Sequence, residues 1–218
     1  MLSRVLEPEV MDTVEEAVAY DTMDHAAVNR VFAADFLGVW DGRLPVLDVG
    51  TGTAQIPIEL CRQHPTIALT GVDLAKEMLR VGRENVRRAG LEERIRLERV
   101  DAKGMPYPDG AFAAVISNSI VHHVPEPRRV FAEMARLTAS GGTLFIRDLL
   151  RPPDTAELER LVGLYAADAD DQQRQLFADS LHAALTVDEV RALVAELGFD
   201  RAGVRQTTDR HWTLVTRK

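Results

Sequence analysis

The chain has 218 residues, and its 46% hydrophobic and 28% charged residues are typical of a globular domain, which excludes a disordered or collagen-like chain. Its 26 Lys and Arg residues against 34 Asp and Glu residues give a net charge of −8, which disfavours a nucleic-acid partner because phosphate backbones are repelled. The single cysteine, Cys61, fits a reducing cytoplasm. No apolar run approaches the ~18 residues of a membrane-spanning helix. We therefore expect a cytoplasmic protein with one domain over residues 1–218 and no membrane span.

Two helices are predicted within the first 41 residues. Apolar residues recur there at spacings of three and four, first at Val10, Val14 and Val18, and then from Val28 to Phe36. The run 41–43, with glycine at its centre, predicts a turn that closes the region. We expect residues 1–41 to form a helical cap.

Short apolar runs alternate with helix-length segments from position 45 onward. Strands are predicted at 46–49, 67–72, 95–100, 112–117 and 143–146, and helices are predicted up to 60, at 76–88 and at 127–137. This alternation is typical of an open, mainly parallel sheet with helices on both faces. Residues 42–148 are the predicted core.

The alternation ends at position 149. Residues 155–185 are predicted to be helical, 187–197 to form a further helix with Thr186 as its N-cap, and 201–206 and 212–216 to form two strands. The short connection between these strands permits an antiparallel hairpin. We expect a Rossmann-like, seven-stranded, mostly parallel sheet with a C-terminal hairpin in 186–218. The insertion 149–185 and the N-terminal helices are predicted to form a lid.

Polar residues end the first three predicted strands, where open parallel sheets bind ligands. Asp48 precedes the turn Gly50-Thr51-Gly52, in which glycine brings bare backbone close to a ligand at a helix N-terminus. Asp73 can accept hydrogen bonds from both ribose hydroxyls, which is compatible with capping the next helix. Asp101 can accept from the exocyclic amine of an adenine beside the Ala102 N–H, although a loop Asx turn is the alternative. Together these residues predict a ligand that contains adenosine.

Gln55 indicates which adenosine ligand is expected. It stands where a dinucleotide fingerprint has Gly or Ala for close packing near the pyrophosphate. A ligand with an amino-acid end matches the Asp48 carboxylate and the backbone near Gly50 better. S-adenosylmethionine (SAM) is therefore favoured over NAD, and an NAD(P)-dependent oxidoreductase stays open as the first alternative.

Five motifs resemble those of the class I SAM-dependent methyltransferases, in particular the ubiquinone/menaquinone-type, small-molecule branch. They are Val46-Leu47-Asp48-Val49-Gly50-Thr51-Gly52-Thr53, Gly71-Val72-Asp73-Leu74, Val100-Asp101-Ala102 with the run 105–112, Ser117-Asn118-Ser119-Ile120-Val121-His122-His123-Val124, and Gly141-Gly142-Thr143-Leu144. The resemblance extends from about position 20 to 148. Beyond 149 only the general layout is similar.

This resemblance implies an enzyme that transfers a methyl group from SAM, by in-line displacement, to the O, N or C atom of a small organic acceptor, with S-adenosylhomocysteine (SAH) as the product. The cofactor-binding residues it implies are Tyr20, Asp48, Gly50, Thr51, Gly52, Asp73, Leu74, Asp101, Ala102 and Asn118. The implied protein is a monomer or homodimer that binds no nucleic acid. A non-catalytic SAM-binding or sensor protein is the second alternative.

His122 and His123, just beyond the fourth strand, are candidate bases for an acceptor that must lose a proton, although packing roles are open for both. His25, Arg147 and Tyr165 are candidates to bind the acceptor. No metal site is expected, because neighbouring side chains rarely point the same way and no cysteine or carboxylate spacing supports one.

Overall fold

The computed structural model describes residues 2–7 and 12–218. The strands are β1 Val46–Val49, β2 Leu69–Asp73, β3 Ile95–Arg99, β4 Phe112–Asn118, β5 Thr138–Leu149, β6 Val204–Gln206 and β7 His211–Arg217. The helices are α1 Val14–Thr22, α2 Ala26–Val39, α3 Gln55–Gln63, α4 Lys76–Arg88, α5 Pro127–Leu137, α6 Thr155–Tyr165, α7 Asp171–Ala183 and α8 Val187–Glu196. Short 3-10 turns span Val121–His123 and Arg201–Gly203. Val10, a predicted helical position, lies outside the described residues.

The described strands form one seven-stranded sheet in the order β3-β2-β1-β4-β5-β7-β6. The pairs among β1 to β5 are parallel, whereas β7 runs antiparallel to both β5 and β6. This confirms the predicted mostly parallel sheet with its C-terminal hairpin. The order reverses between β1 and β4, and such a reversal opens a crevice outside the carboxyl ends of the strands.

Helices cover both faces of the sheet because side chains alternate along each strand. In the central strand β1, Leu47 packs in the core that includes Phe131 of α5 and Val190 of α8. Its neighbour Val46 packs in the opposite core, with Phe32 of α2. All four residues of β1 are buried, as expected for a strand covered on both sides.

Several boundaries differ from the sequence prediction. The strand β5 begins at Thr138, because Gly141 at φ 70° and a register shift opposite β4 let the strand continue through the glycine pair. The predicted helical stretch 155–185 is two helices, and Asp170 caps the second by accepting from the Gln173 N–H. Residues 201–203 form a 3-10 turn, so β6 is only three residues long.

The N-terminal helices are fixed to the core by a partly buried polar contact. Asp21 at the end of α1 accepts hydrogen bonds from Gln55 Nε2 at 3.1 Å and from Asn85 Nδ2 at 2.8 Å. The α1 residues Val14 and Val18 stay about half exposed. The insertion packs through α7 against the Val121–His123 turn. The division into cap, core, insertion and hairpin stays a prediction, and none of the helices in the described ranges is long and apolar enough to cross a bilayer.

Candidate active site at the ends of the parallel strands

A cleft opens outside the carboxyl ends of β1, β2 and β4. Its wall contains eight of the ten residues that the sequence predicted for cofactor binding, namely Tyr20, Gly50, Gly52, Asp73, Leu74, Asp101, Ala102 and Asn118. The other two, Asp48 and Thr51, are buried. Parallel strands end at one edge of the sheet, so residues far apart in the chain meet there.

The turn after β1 is built from backbone. Gly50 and Gly52 have φ values of 77° and 53°, in the left-handed region that favours glycine. A Cβ on Gly50 would also overlap the Ile120 side chain. The Gly50 N–H is held by the Val72 carbonyl at 2.8 Å, which joins the turn to β2. The chain therefore presents bare backbone to the cleft at this point.

Asp73 connects the glycine turn to the next helix. Its Oδ2 accepts from the Gly52 N–H at 2.8 Å, and its Oδ1 accepts from the N–H of Ala75, the N-cap residue of α4, at 2.9 Å. Burial raises the pKa of Asp73, and these hydrogen bonds oppose the increase. Because each carboxylate oxygen offers two acceptor positions, both oxygens can still bind a ligand in the cleft.

Asp48 is a buried carboxylate with a free acceptor. Its side chain is 2% exposed, and its Oδ2 has no hydrogen-bond partner among the described residues. Burial raises the pKa of Asp48 to about 7, and the charge of Asp73 contributes. Burial, Asp73 and Asp48 also raise the pKa of Tyr20 to about 12, so its hydroxyl stays protonated at neutral pH. The site thus carries the Tyr20 hydroxyl as a hydrogen-bond donor, and Asp48 Oδ2 as an acceptor without a partner among the described residues.

Asp101 has the Asx turn that the sequence left open as an alternative. Its Oδ1 accepts from the Lys103 N–H at 2.9 Å, and Lys103 Nζ lies 3.1 Å away. Burial alone would raise the pKa of Asp101, but the hydrogen bonds and charge of Lys103 lower it. The carboxylate is also part of the cleft wall, so the turn fixes its position there.

The two adjacent histidines have different surroundings. His123 lies in the cleft wall, whereas His122 is 4% exposed and its Nδ1 lies 2.5 Å from Asp148 Oδ1. Burial alone would lower the pKa of His122, but Asp148 and Glu7 outweigh it and raise the pKa. The structure therefore brings His123 to the cleft and directs His122 toward β5.

The structure does not bring His25 or Tyr165 to this cleft. His25 lines a separate hollow between the N-terminal helices and α3 and α4. The Tyr165 hydroxyl donates to Asp209 Oδ1 at 2.8 Å, and the Arg210 guanidinium stacks 3.4 Å from its ring centre. The partners of Tyr165 lie more than 40 positions away, so its role in the hairpin contact could not be inferred from neighbouring sequence.

Arg147 is buried among contacts within the fold, and its role in binding the acceptor stays a prediction. Its Nη2 lies 2.6 Å from Asp35 Oδ2, and its Nε donates to Thr213 Oγ1 at 2.9 Å. The guanidinium carbon lies 5.7 Å from the ring centres of both Phe32 and Phe145. This buried cation therefore joins α2, β5 and β7, because each of these elements supplies one of its partners.

Sequence reasoning missed several wall residues. Met78, Ile120, Val124 and Val130 add apolar surface, and Lys103 adds a cation. Ile120 and Val124 lie inside the motif 117–124, so their position there was an available signal. Val130 on α5 gave no signal, because only the packing of that helix places it at the cleft.

A glycine turn, an ordered carboxylate at the end of β2, a second after β3 and an amide at the end of β4 all face one cleft of an open parallel sheet. This arrangement suits a nucleoside, whose ribose and base both require hydrogen-bond partners. The fold and site therefore define an α/β protein of the nucleoside-binding type.

Comparison with known proteins narrows this class. Residues 46–142 match a family model described as a methyltransferase domain. The chain is 34% identical over 139 residues to a demethylmenaquinone methyltransferase of Porphyromonas gingivalis, covering 61% of this chain and 57% of that protein. It is 34% identical over 182 residues to a malonyl-[acyl-carrier protein] O-methyltransferase of Geobacter sulfurreducens, covering 83% and 64%. The structure of a SAM-dependent methyltransferase from Aquifex aeolicus matches the fold with a TM-score of 0.68 at 16% identity, covering 94% and 98%.

These matches support the resemblance to the class I SAM-dependent methyltransferases that the motifs indicated. The structural neighbour supports the fold, and the two sequence relatives support the family. The chain spans 57% and 64% of the lengths of these two relatives.

Proposed function

We propose that this protein transfers a methyl group from SAM to an O, N or C atom of a small organic acceptor. The observation that carries the proposal is the meeting of Asp73 and Asp101 with the Gly50–Gly52 turn in one cleft. Carboxylates at these two strand ends suit the ribose and the adenine of one nucleoside. The match of residues 46–142 to a methyltransferase domain supports methyl transfer over hydride transfer.

The residues present fit SAM. The buried Asp48 Oδ2 lacks a partner, as expected for a group that meets a cationic amino-acid end only when the ligand binds. Asp73 would hold the ribose hydroxyls, and Asp101 with the Ala102 N–H would hold the adenine. Asn118 would lie beside the methionyl part. A buried Oδ2 atom without a partner costs stability in the free protein, and such a cost is common at binding sites.

The chain contributes mainly positioning to the reaction. SAM, when bound, supplies a methyl group that is already activated for in-line displacement. The protein has to align the acceptor and exclude water. Tyr20, held over the glycine turn by the Asp21 contacts, is placed to close one side of the cleft. A basic role for His122 or His123 stays a prediction, and only His123 faces the cleft.

The acceptor is proposed to be a small molecule, with no nucleic acid involved. The net charge of −8 supports this, because an acidic surface repels phosphate backbones. A location in the cytoplasm is proposed on the basis of the single, buried cysteine, which needs no oxidising compartment. A monomer or homodimer stays a prediction.

Calorimetric titration with SAM, SAH, NAD and NADH tests the cofactor. We expect saturable binding of SAM and SAH only, and Asp73→Ala should weaken SAH binding by about 1–3 kcal/mol, or roughly 5- to 150-fold, because ribose hydroxyls lose their acceptor. Asp188→Ala, which removes an exposed carboxylate, is the matched control. Binding of NADH without SAM would instead favour the oxidoreductase.

Turnover is tested separately, with radiolabelled SAM and a panel of hydroxyl, amine and activated-carbon acceptors. Label transfer to at least one acceptor is expected. Tight SAH binding without transfer to any member of a broad panel would favour the non-catalytic sensor.

A further inference from the structure

We propose that Glu7, His122 and His123 form a binding site for a divalent metal ion of the zinc type, at the rim of the cleft. This site does not depend on the proposed function. It reverses our expectation that the chain has no metal site. One ligand atom from each of the three residues lies within 4.8 Å of the others.

The distances match a tetrahedral site. Glu7 Oε1 lies 3.1 Å from His123 Nδ1 and 3.5 Å from His122 Nε2. Zinc binds nitrogen and oxygen ligands at about 2.0–2.1 Å, and tetrahedral geometry then separates two ligands by roughly 3.3–3.4 Å. The two measured separations lie on either side of that value. Both separations from Glu7 Oε1 are therefore compatible with two ligands of one zinc ion.

Two of the three ligand atoms lack other partners. Glu7 Oε1 and His123 Nδ1 are buried, and neither forms a hydrogen bond of regular geometry with a described residue, although they face each other at the 3.1 Å of an ion pair. The Glu7 side chain is only 9% exposed. Buried polar atoms of this kind are rare unless a water or an ion satisfies them. Their convergence would let both atoms bind one ion.

Side chains behind the three residues orient them as they do in known metal sites. Asp148 Oδ1 holds Nδ1 of His122 at 2.5 Å and so turns its Nε2 toward Glu7. The hydroxyl of Ser180 donates to Glu7 Oε2 at 3.1 Å, which leaves Oε1 for the ion. A carboxylate behind a metal-binding histidine fixes the tautomer and raises the basicity of the ligand.

The N-terminal segment 2–7 is anchored so that Glu7 reaches the histidines. The Arg4 guanidinium donates to the carbonyls of Ala183 at 2.7 Å, Val124 at 3.0 Å and His122 at 3.1 Å. The Val5 N–H donates to the His182 carbonyl at 3.2 Å. The positive charge of Arg4 disfavours a metal ion nearby, but the two negative charges of Glu7 and Asp148 outweigh it.

The donor set determines the metal class. Two imidazole nitrogens and one carboxylate oxygen suit zinc and its neighbours better than magnesium or calcium, which prefer oxygen ligands. Three protein ligands leave a fourth position open. Coordination through Nδ1 of His123 removes that nitrogen from the candidate bases, so the metal role and a base role of this atom exclude each other.

The test is metal binding by the full chain after treatment with a chelator. Zinc is titrated against a chromophoric chelator, and Co²⁺ is added separately to record its visible absorption, which is intense in tetrahedral sites. We expect one equivalent of tightly bound metal. Glu7→Gln and His123→Ala should each weaken binding at least about 100-fold, and Asp148→Asn about 10- to 100-fold. His64→Ala, which removes a histidine elsewhere, should change nothing.

Thermal unfolding and SAH binding are measured for each variant, so that loss of folding is not mistaken for loss of a ligand. Retained SAH binding with lost zinc binding supports the metal site, whatever the outcome for methyl transfer. The proposal is overturned if the wild-type chain binds zinc no more tightly than the Glu7→Gln/His123→Ala double variant. Weak octahedral Co²⁺ absorption in the wild type would also overturn it.

Discussion

Asp48 and Asp148 are the same residue type in matching places, yet their chemistry differs. Both are the penultimate residues of parallel strands, β1 and β5, and they are 2% and 1% exposed. Asp148 accepts from the Val121, His122 and Leu149 N–H groups and pairs with the His122 ring. Asp48 Oδ2 has no partner among the described residues.

The pKa values of the two carboxyls shift in opposite directions. Burial acts to raise both, and it raises the pKa of Asp48 to about 7. At Asp148 the charge and hydrogen bond of His122 outweigh burial, so the pKa is lowered. Burial alone therefore does not decide in which direction the pKa of a carboxyl shifts. The partners that the tertiary structure supplies decide it.

The largest expected effect is on Asp148. Asp148→Asn should lower the free energy of unfolding by about 3 kcal/mol, because it removes the charge of a buried carboxylate that pairs with the His122 ring. For a chain of this length that is a decrease in melting temperature of roughly 6–12 °C, measured by calorimetry. Asp188→Asn, on the exposed face of α8, should shift it by less than about 2 °C. A similar shift for both variants would remove the distinction between the two carboxylates.

At neutral pH, Asp48→Asn should raise the free energy of unfolding, whereas Asp148→Asn should lower it. The pKa of Asp48 is about 7 in the folded chain, against ~3.9 in an unfolded one, so the folded state binds more protons between these values. The stability of the wild type should therefore fall by about 2–3 kcal/mol between pH 5 and pH 8, and the variant should lack this part of the decrease. Urea unfolding of the wild type and the variant at pH 5 and pH 8 measures this decrease in stability. A difference between the two proteins that is independent of pH would contradict the assignment.

Gly50→Ala sharpens the comparison at the turn beside Asp48. Gly50 and Gly42 have similar φ values, 77° and 83°, but only at Gly50 would a Cβ meet another atom, in Ile120. Both substitutions should cost about 1 kcal/mol for the left-handed backbone, and Gly50→Ala about 1–2 kcal/mol more. Chemical unfolding separates the two costs. Adding Ile120→Ala should recover part of the second cost, and no recovery would mean that the overlap is not its cause.

The smallest effect is expected at Tyr165, outside both carboxylate sites. Tyr165→Phe removes one hydrogen bond to Asp209 from a side chain that is 43% exposed, so unfolding should change by less than about 1 kcal/mol. Methyl transfer, once an acceptor is found, should be unchanged. A clear increase in the KM for the acceptor would instead support a role of Tyr165 in binding the acceptor.

The sequence predicted the fold well because the sheet depends on local patterns. The alternation of buried strands and helices, and the turn after β1, are set by hydrophobic spacing and glycine, which act over a few residues. The boundaries at β5 and β6 were less accurate. Whether Gly141 ends a helix or bends a strand depends on the register with β4, and register is not a local property.

The candidate site was predicted only in part for the same reason. Asp73 and Asp101 are placed by strand ends, so one rule of sheet topology brought both to the cleft. His25, Arg147 and Tyr165 were assigned from position alone, and their contacts come from distant segments. Glu7 gave no signal at all, because its approach to His123 depends on the Arg4 contacts more than 100 positions away in the chain.

The sequence by itself determined the class of protein: an α/β sheet whose strand ends carry a glycine turn and carboxylates. The tertiary structure alone decided which buried charges have partners and which do not. Hydrophobic periodicity is written into consecutive residues, whereas the partner of a buried charge is supplied by whichever segment folds against it. For that reason Asp48 and Asp148 are indistinguishable as letters in the chain and differ in the folded molecule.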